Sequence, residues 1–143
     1  MKPLELIYES PDGLLRIVEP TERQITAIVL LSPASYWQQG GNGQALLSVA
    51  DRPSLTIMQP AVGRFFLELF LEDRLVPYDG GSCEEFLVTE LGGDLFRVPL
   101  ACTVTPGTAA SVLAEFVRTR RQPGGIRWVP MGDVAFEIGW YDE

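Results

Sequence analysis

Two adjacent carboxylate pairs, Glu72–Asp73 and Glu84–Glu85, are the groups in this 143-residue chain whose type best suits acid–base or glycosidase chemistry. That chemistry needs both carboxyl groups to flank one bond, whereas neighbours on a strand project to opposite faces. The chain contains no histidine. This removes Ser-His-Asp and Cys-His arrangements, histidine-based zinc sites and the commonest general base at neutral pH. Cys83 and Cys102 are far from any metal-ligand spacing, and in a reducing compartment they remain thiols, read as small buried apolar side chains. A zinc nucleobase deaminase would need a His or third Cys ligand beside a Cys-x-x-Cys pair, and the sequence has neither. The run Gly40-Gly41-Asn42-Gly43 is followed by no Lys-Ser/Thr and lacks the third glycine of a dinucleotide fingerprint, so it reads as a turn. The expectation is a protein that is not an enzyme and holds no metal or cofactor.

Charge is the more informative signal. Nineteen acidic residues against eleven basic ones give a net charge of −8, which opposes binding to nucleic acid or to anionic membrane surfaces and suits a basic protein partner. From Val62 to Asp94 eight carboxylates (Glu68, Glu72, Asp73, Asp79, Glu84, Glu85, Glu90 and Asp94) stand against only Arg64 and Arg74. Such a stretch is either a solvated sheet face or a surface that meets a cationic cleft, where complementary charge speeds encounter and selects the partner. On a strand over 84–91, Glu84 and Glu90 would share one face and Glu85 the other. Tyr36 and Trp37 precede a polar loop in a segment without clear period, and are either core or an exposed aromatic anchor for a partner.

The elements that must position these residues follow from local pattern. Apolar runs at 4–9 and 13–19, separated by Ser10-Pro11-Asp12-Gly13, predict a hairpin. Thr21 stands three residues before Gln24 in a capping-box pattern, with Ile25, Ile28 and Val29 on one helical face, which predicts a helix ending near Ser32-Pro33. Strands are expected at 45–50, 54–59 and 64–72, the last with Phe65, Leu67, Leu69 and Leu71 on one face and a second face only partly solvated. A hairpin of strands 84–91 and 95–104 turns at Gly92-Gly93-Asp94, and Pro99 places the second at an edge or a bulge. Thr105 and Pro106 begin a second helix with Ala109, Val112, Leu113, Phe116 and Val117 as its apolar stripe, and Arg118, Arg120 and Arg121 lie at the negative end of its dipole. Strands at 126–129 and 134–141 close the list. Together these give an α+β fold, an antiparallel sheet packed against two α-helices in a single domain spanning 1–143. The N-terminus lacks a secretory h-region and no stretch approaches the length of a membrane span, so a cytoplasmic protein is expected.

The C-terminal half carries a resemblance. Leu91-Gly92-Gly93-Asp94 leads into Arg97-Val98-Pro99; Val104 precedes a helix holding Ala109-Ala110, Glu115-Phe116 and Thr119; Pro123 and Ile126-Arg127-Trp128 follow. With Glu19-Pro20-Thr21-Glu22 upstream, this resembles the deaminase-associated immunity family of bacterial polymorphic toxin systems over about residues 20–130. Thr119-Arg120 stands where the family often has Thr-Gly, and Trp128-Val129 where an acidic residue often follows the tryptophan. The resemblance implies an immunity protein that binds a cognate toxin domain, a nucleic-acid deaminase or nuclease, and occludes its active site stoichiometrically. The alternative is a generic interaction or assembly module with no toxin partner.

Without histidine or a cysteine pair, the purified protein is expected to carry no stoichiometric zinc and to melt at the same temperature with or without chelator. Elemental analysis and a thermal melt check this.

Overall fold

The computed structural model describes residues 3–10, 13–31, 44–49, 52–82, 84–91 and 94–138. Leu4–Ser10 (β1) and Gly13–Val18 (β2) pair antiparallel, with Leu6 opposite Ile17. Glu22–Leu31 forms helix α1 in spite of its β-branched residues, because its first turn is capped reciprocally. The Thr21 N–H donates to Gln24 Oε1 at 2.9 Å and the Gln24 N–H donates to Thr21 Oγ1 at 3.1 Å, satisfying two amides that no helical carbonyl can reach. Gln44–Val49 (β3), Ser54–Ala61 (β4) and Arg64–Phe70 (β5) follow as consecutive antiparallel strands.

The antiparallel sheet runs in the order β10-β6-β5-β4-β3-β1-β2 and packs its main apolar face on the helices. Here β6 is Arg74–Pro77 and β10 is Trp128–Pro130. Helix α2, Pro106–Thr119, opens as its sequence predicts: Thr105 Oγ1 accepts the Thr108 N–H at 3.3 Å, and proline occupies the first turn, where its missing N–H costs nothing. Its buried Ala109, Val112, Leu113 and Phe116 meet Ile25 and Val29 of α1 and Leu6, Leu47, Leu55, Ile57, Phe65, Leu67 and Leu69 of the sheet. The expected class therefore holds.

The other face of the sheet is also covered in part. A separate two-stranded ribbon, Phe86–Leu91 (β7) with Asp94–Pro99 (β8), and helix α3, Met131–Ile138, bury a smaller cluster of Met58, Phe66, Val76, Val98, Cys102 and Val134. Phe66 is fully buried here, while its neighbours Phe65 and Leu67 are fully buried on the helix side.

Several elements differ from the sequence reading. The stretch 95–104 is not one strand: β8 ends at Pro99, a 3-10 turn at Leu100–Cys102 (η1) redirects the chain, and Thr103–Val104 (β9) joins the main sheet beside β5. Of the two places expected for Pro99, the edge holds: β8 pairs only with β7 in the ribbon, and proline ends the ladder instead of forming a bulge within it. Strand β6 was not anticipated; four residues are too few to display a period. The expected last strand at 134–141 is instead α3, a third helix, over its described length. Val134, Phe136 and Ile138 fit a period of two, but Met131 and Val134 are also three apart, and both pack into the second cluster as a helix places them.

Ile126 and Trp128 pack together against the main core, as their period-two spacing predicts. The Trp128 Nε1–H donates to the Pro123 carbonyl at 2.9 Å, anchoring the turn after α2. Trp128→Ala should cost about 3–5 kcal/mol, as for large core aromatics, and Trp128→Phe, which keeps an aromatic ring but loses the indole N–H and part of the volume, should cost less. Urea denaturation of the two variants checks the ordering.

Candidate protein-binding surface

The acidic stretch is divided by the fold into two groups at opposite ends of β6. Glu68, on the second face of β5, pairs with Arg74 at 3.0 Å. Glu72 and Asp73 are exposed in the bend between β5 and β6. The same end carries cations: the guanidinium groups of Arg52 and Arg74 lie 5.2 and 5.3 Å from the Phe70 ring centroid, and Arg52 Nη1 donates to the Leu71 carbonyl at 3.3 Å. Charge there is largely balanced.

Asp79, Glu84 and Glu85 gather at the other end, around η1. The Asp79 N–H donates to the Ala101 carbonyl at 3.0 Å, and the Leu100 N–H donates to the Glu85 carbonyl at 2.9 Å. Asp79 and Glu85 are thus both fastened to adjacent residues of one turn that lies far from them in sequence. All three acids are exposed, and among the described residues none forms an ion pair. β7 begins only at Phe86, so Glu84 and Glu85 precede the strand and the face argument that grouped Glu84 with Glu90 does not apply. Glu90 lies within β7, opposite Leu95, and Asp94 begins β8. Tyr36, Trp37 and Cys83 lie outside the described residues.

The ribbon adds an apolar element to this acidic corner. Leu87 pairs with Val98, which is fully buried against the sheet, so alternation turns Phe86 and Val88 outward. They are 39% and 51% exposed, large values for such side chains, and the Arg97 guanidinium lies 5.0 Å from the Phe86 ring centroid. The sequence carries a signal for this pair that the charge pattern does not include, since Phe86 and Val88 stand two apart and so share one face of a strand.

The corner is held by Arg64. Its Nε donates to Thr103 Oγ1 at 2.8 Å and its Nη2 to the Thr103 carbonyl at 3.0 Å, with the Leu100 carbonyl at 3.5 Å. Thr103 Oγ1 also donates to the Leu100 carbonyl at 2.8 Å. The C-terminal arginines face elsewhere: Arg118 pairs with Glu22 at 2.9 Å and Arg120 pairs with Glu19.

A cavity of about 300 Å³ opens beside the corner, lined by Pro77, Tyr78, Asp79, Ala101, Thr103, Val104, Ile126 and Arg127. The register accounts for it. β6 pairs with β5 at Leu69 and Phe70, whereas β9 takes the same edge of β5 at Phe65 and Phe66. The two strands share one edge, so the chain beyond Pro77 is turned aside where β9 begins. Among the described residues no group of three or more potential metal ligands occurs, and no helix is long and apolar enough to cross a membrane. No model of a known protein family matches this chain, and no curated protein matches it significantly.

Arg64→Leu removes the charged hydrogen bonds to η1 while leaving the carbonyls beneath it half-buried. It should lower stability by about 2–3 kcal/mol, and Arg64→Lys, a point charge without the planar fork, should recover only part of this. Equilibrium denaturation of both variants is the measurement.

Proposed function

We propose that this chain is an immunity protein: it binds a cognate toxin domain that handles nucleic acid, a deaminase or a nuclease, and occludes its active site stoichiometrically in the cytoplasm. The observation that carries the reading is the corner at η1, where the carboxylates of Asp79, Glu84 and Glu85, without an ion pair among the described residues, adjoin the outward Phe86 and Val88. An enzyme acting on nucleic acid presents a cationic groove, often with exposed stacking surfaces. An acidic surface with an apolar centre complements such a groove: the charges steer encounter and the buried apolar residues slow release. The net charge of −8 adds long-range attraction of the same sign. The sequence resemblance to the deaminase-associated immunity family supports the same reading. Glu68, Glu72 and Asp73, beside Arg52 and Arg74, are assigned a lesser part.

The test uses a purified toxin domain encoded beside this protein. The pair should elute as one heterocomplex, and co-expression should restore growth. Glu84→Lys/Glu85→Lys should slow association on the order of tenfold at low salt and flatten its salt dependence, with little change in melting temperature because exposed charges contribute little to folding. Phe86→Ser/Val88→Ser should instead speed dissociation. Should both double variants associate, dissociate and protect like the parent, the corner at η1 is not the inhibitory surface.

A further inference from the structure

We infer that the cavity between β6 and β9 is a binding site for a small zwitterion, an α-amino acid with an apolar side chain. Its walls are apolar, from Pro77, Ala101, Val104 and Ile126, and its volume of about 300 Å³ lies at the lower end of the range of small-molecule clefts. The hydroxyl of Thr103 is already engaged with Arg64 and the Leu100 carbonyl. The remaining polar capacity is at the rim, in two opposite charges.

Both charges are positioned by the same turn. Asp79 Oδ1 accepts the Gly81 N–H at 2.7 Å, which orients the carboxylate and leaves its second oxygen available. The Tyr78 hydroxyl donates to the Gly81 carbonyl at 2.7 Å, fixing the ring over which the Arg127 guanidinium lies at 5.4 Å. Arg127 Nη1 reaches to within 4.0 Å of where a Cβ on Gly80 would stand, so the cation sits above the residue next to Asp79. The backbone holds this arrangement from the other side, since the Tyr78 N–H donates to the Arg127 carbonyl at 3.0 Å. Arg127 and Asp79 form no ion pair with each other.

A cation and an anion held on one rim over an apolar floor discriminate by charge pattern. A ligand with a single charge gains at one group and is repelled by the other. An α-amino acid satisfies both, its carboxylate on the planar donor fork of Arg127 and its ammonium on the free oxygen of Asp79, while its side chain enters the apolar cavity. The site shares Asp79 with the corner proposed to meet a toxin, but it does not rest on that reading, and its readout needs no partner protein.

The test is a titration of the ¹⁵N-labelled protein followed by amide chemical shifts, with three probes: L-leucine, L-leucinamide, which keeps only the positive charge, and 4-methylpentanoate, which keeps only the negative. L-Leucine should shift the amides of Tyr78–Gly81 and of Ile126 and Arg127. Each single-charge probe should bind roughly tenfold or more weakly, the worth of one charge-assisted contact. Arg127→Gln should remove the preference for leucine over its amide. Asp79→Asn, which retains the oxygen that accepts from Gly81, should remove the preference for leucine over 4-methylpentanoate. The inference is overturned if leucine moves none of these amides, if it binds no better than the two analogues, or if either variant keeps the preference it should lose.

Discussion

Burial of β5 on both faces is the constraint from which the rest of the arrangement follows. Phe65, Leu67 and Leu69 point to the helices, and Phe66 points to the ribbon and α3, all of them fully buried. Full burial of one such side chain is worth about 1.5–3 kcal/mol, so a register slip by one residue, which exchanges the two faces, is strongly disfavoured. With the register so determined, one edge of β5 takes β4 and the other is divided between β9 and β6. That division creates both the cavity and the need for η1, since the chain must leave the ribbon and reach the β5 edge within a few residues. Arg64, the first residue of β5, then meets the carbonyls that this reversal exposes.

Charge is distributed by the same framework. The basic residues at the end of α2 are used within the molecule, with Arg118 on Glu22 and Arg120 on Glu19. Glu19 and Arg120 both adopt left-handed backbone conformations, at φ 52° and 57°, uncommon for residues with a Cβ. Each supplies a local closure: the Glu19 N–H donates to the Leu4 carbonyl at 2.7 Å, and the Arg120 N–H donates to the Phe116 carbonyl at 2.7 Å as the C-cap of α2. Their ion pair joins the end of the first hairpin to the end of the second helix. With these arginines engaged, with Arg52 and Arg74 beside Phe70 and with Arg64 committed to the Leu100 and Thr103 carbonyls, the carboxylates around η1 form no ion pair among the described residues.

The function proposed for this corner rests on the combination of unpaired acid and exposed apolar surface. Scattered apolar residues on a surface are ordinary. Phe86 and Val88 differ because they lie side by side on a ribbon whose other face is seated on the sheet, so they cannot turn inward without unseating Leu87 and Val98. A partner that covers them meets a preformed surface, which lowers the entropic cost of association.

Local signals in the sequence determined the elements whose causes are themselves local. The Thr21–Gln24 box and the Thr105-Pro106 start place two helices because a cap depends on residues three apart. The alternation of Phe65, Leu67 and Leu69 marks a strand because the pleat repeats every two residues. The absence of histidine, legible at once, determined which chemistries the chain could not support. Tertiary structure decided what depends on distant partners. The run from Val134 to Ile138 fits either period, and packing with Met58, Phe66 and Val76 selects the helix. β6 is too short to announce itself and exists because β5 and β10 offer it two edges. In sequence the acidic residues form one stretch because they are close along the chain. β6 places them at opposite ends of a strand, and the backbone hydrogen bonds of Asp79 to Ala101 and of Leu100 to Glu85, both long-range in sequence, fasten Asp79 and Glu85 to one turn.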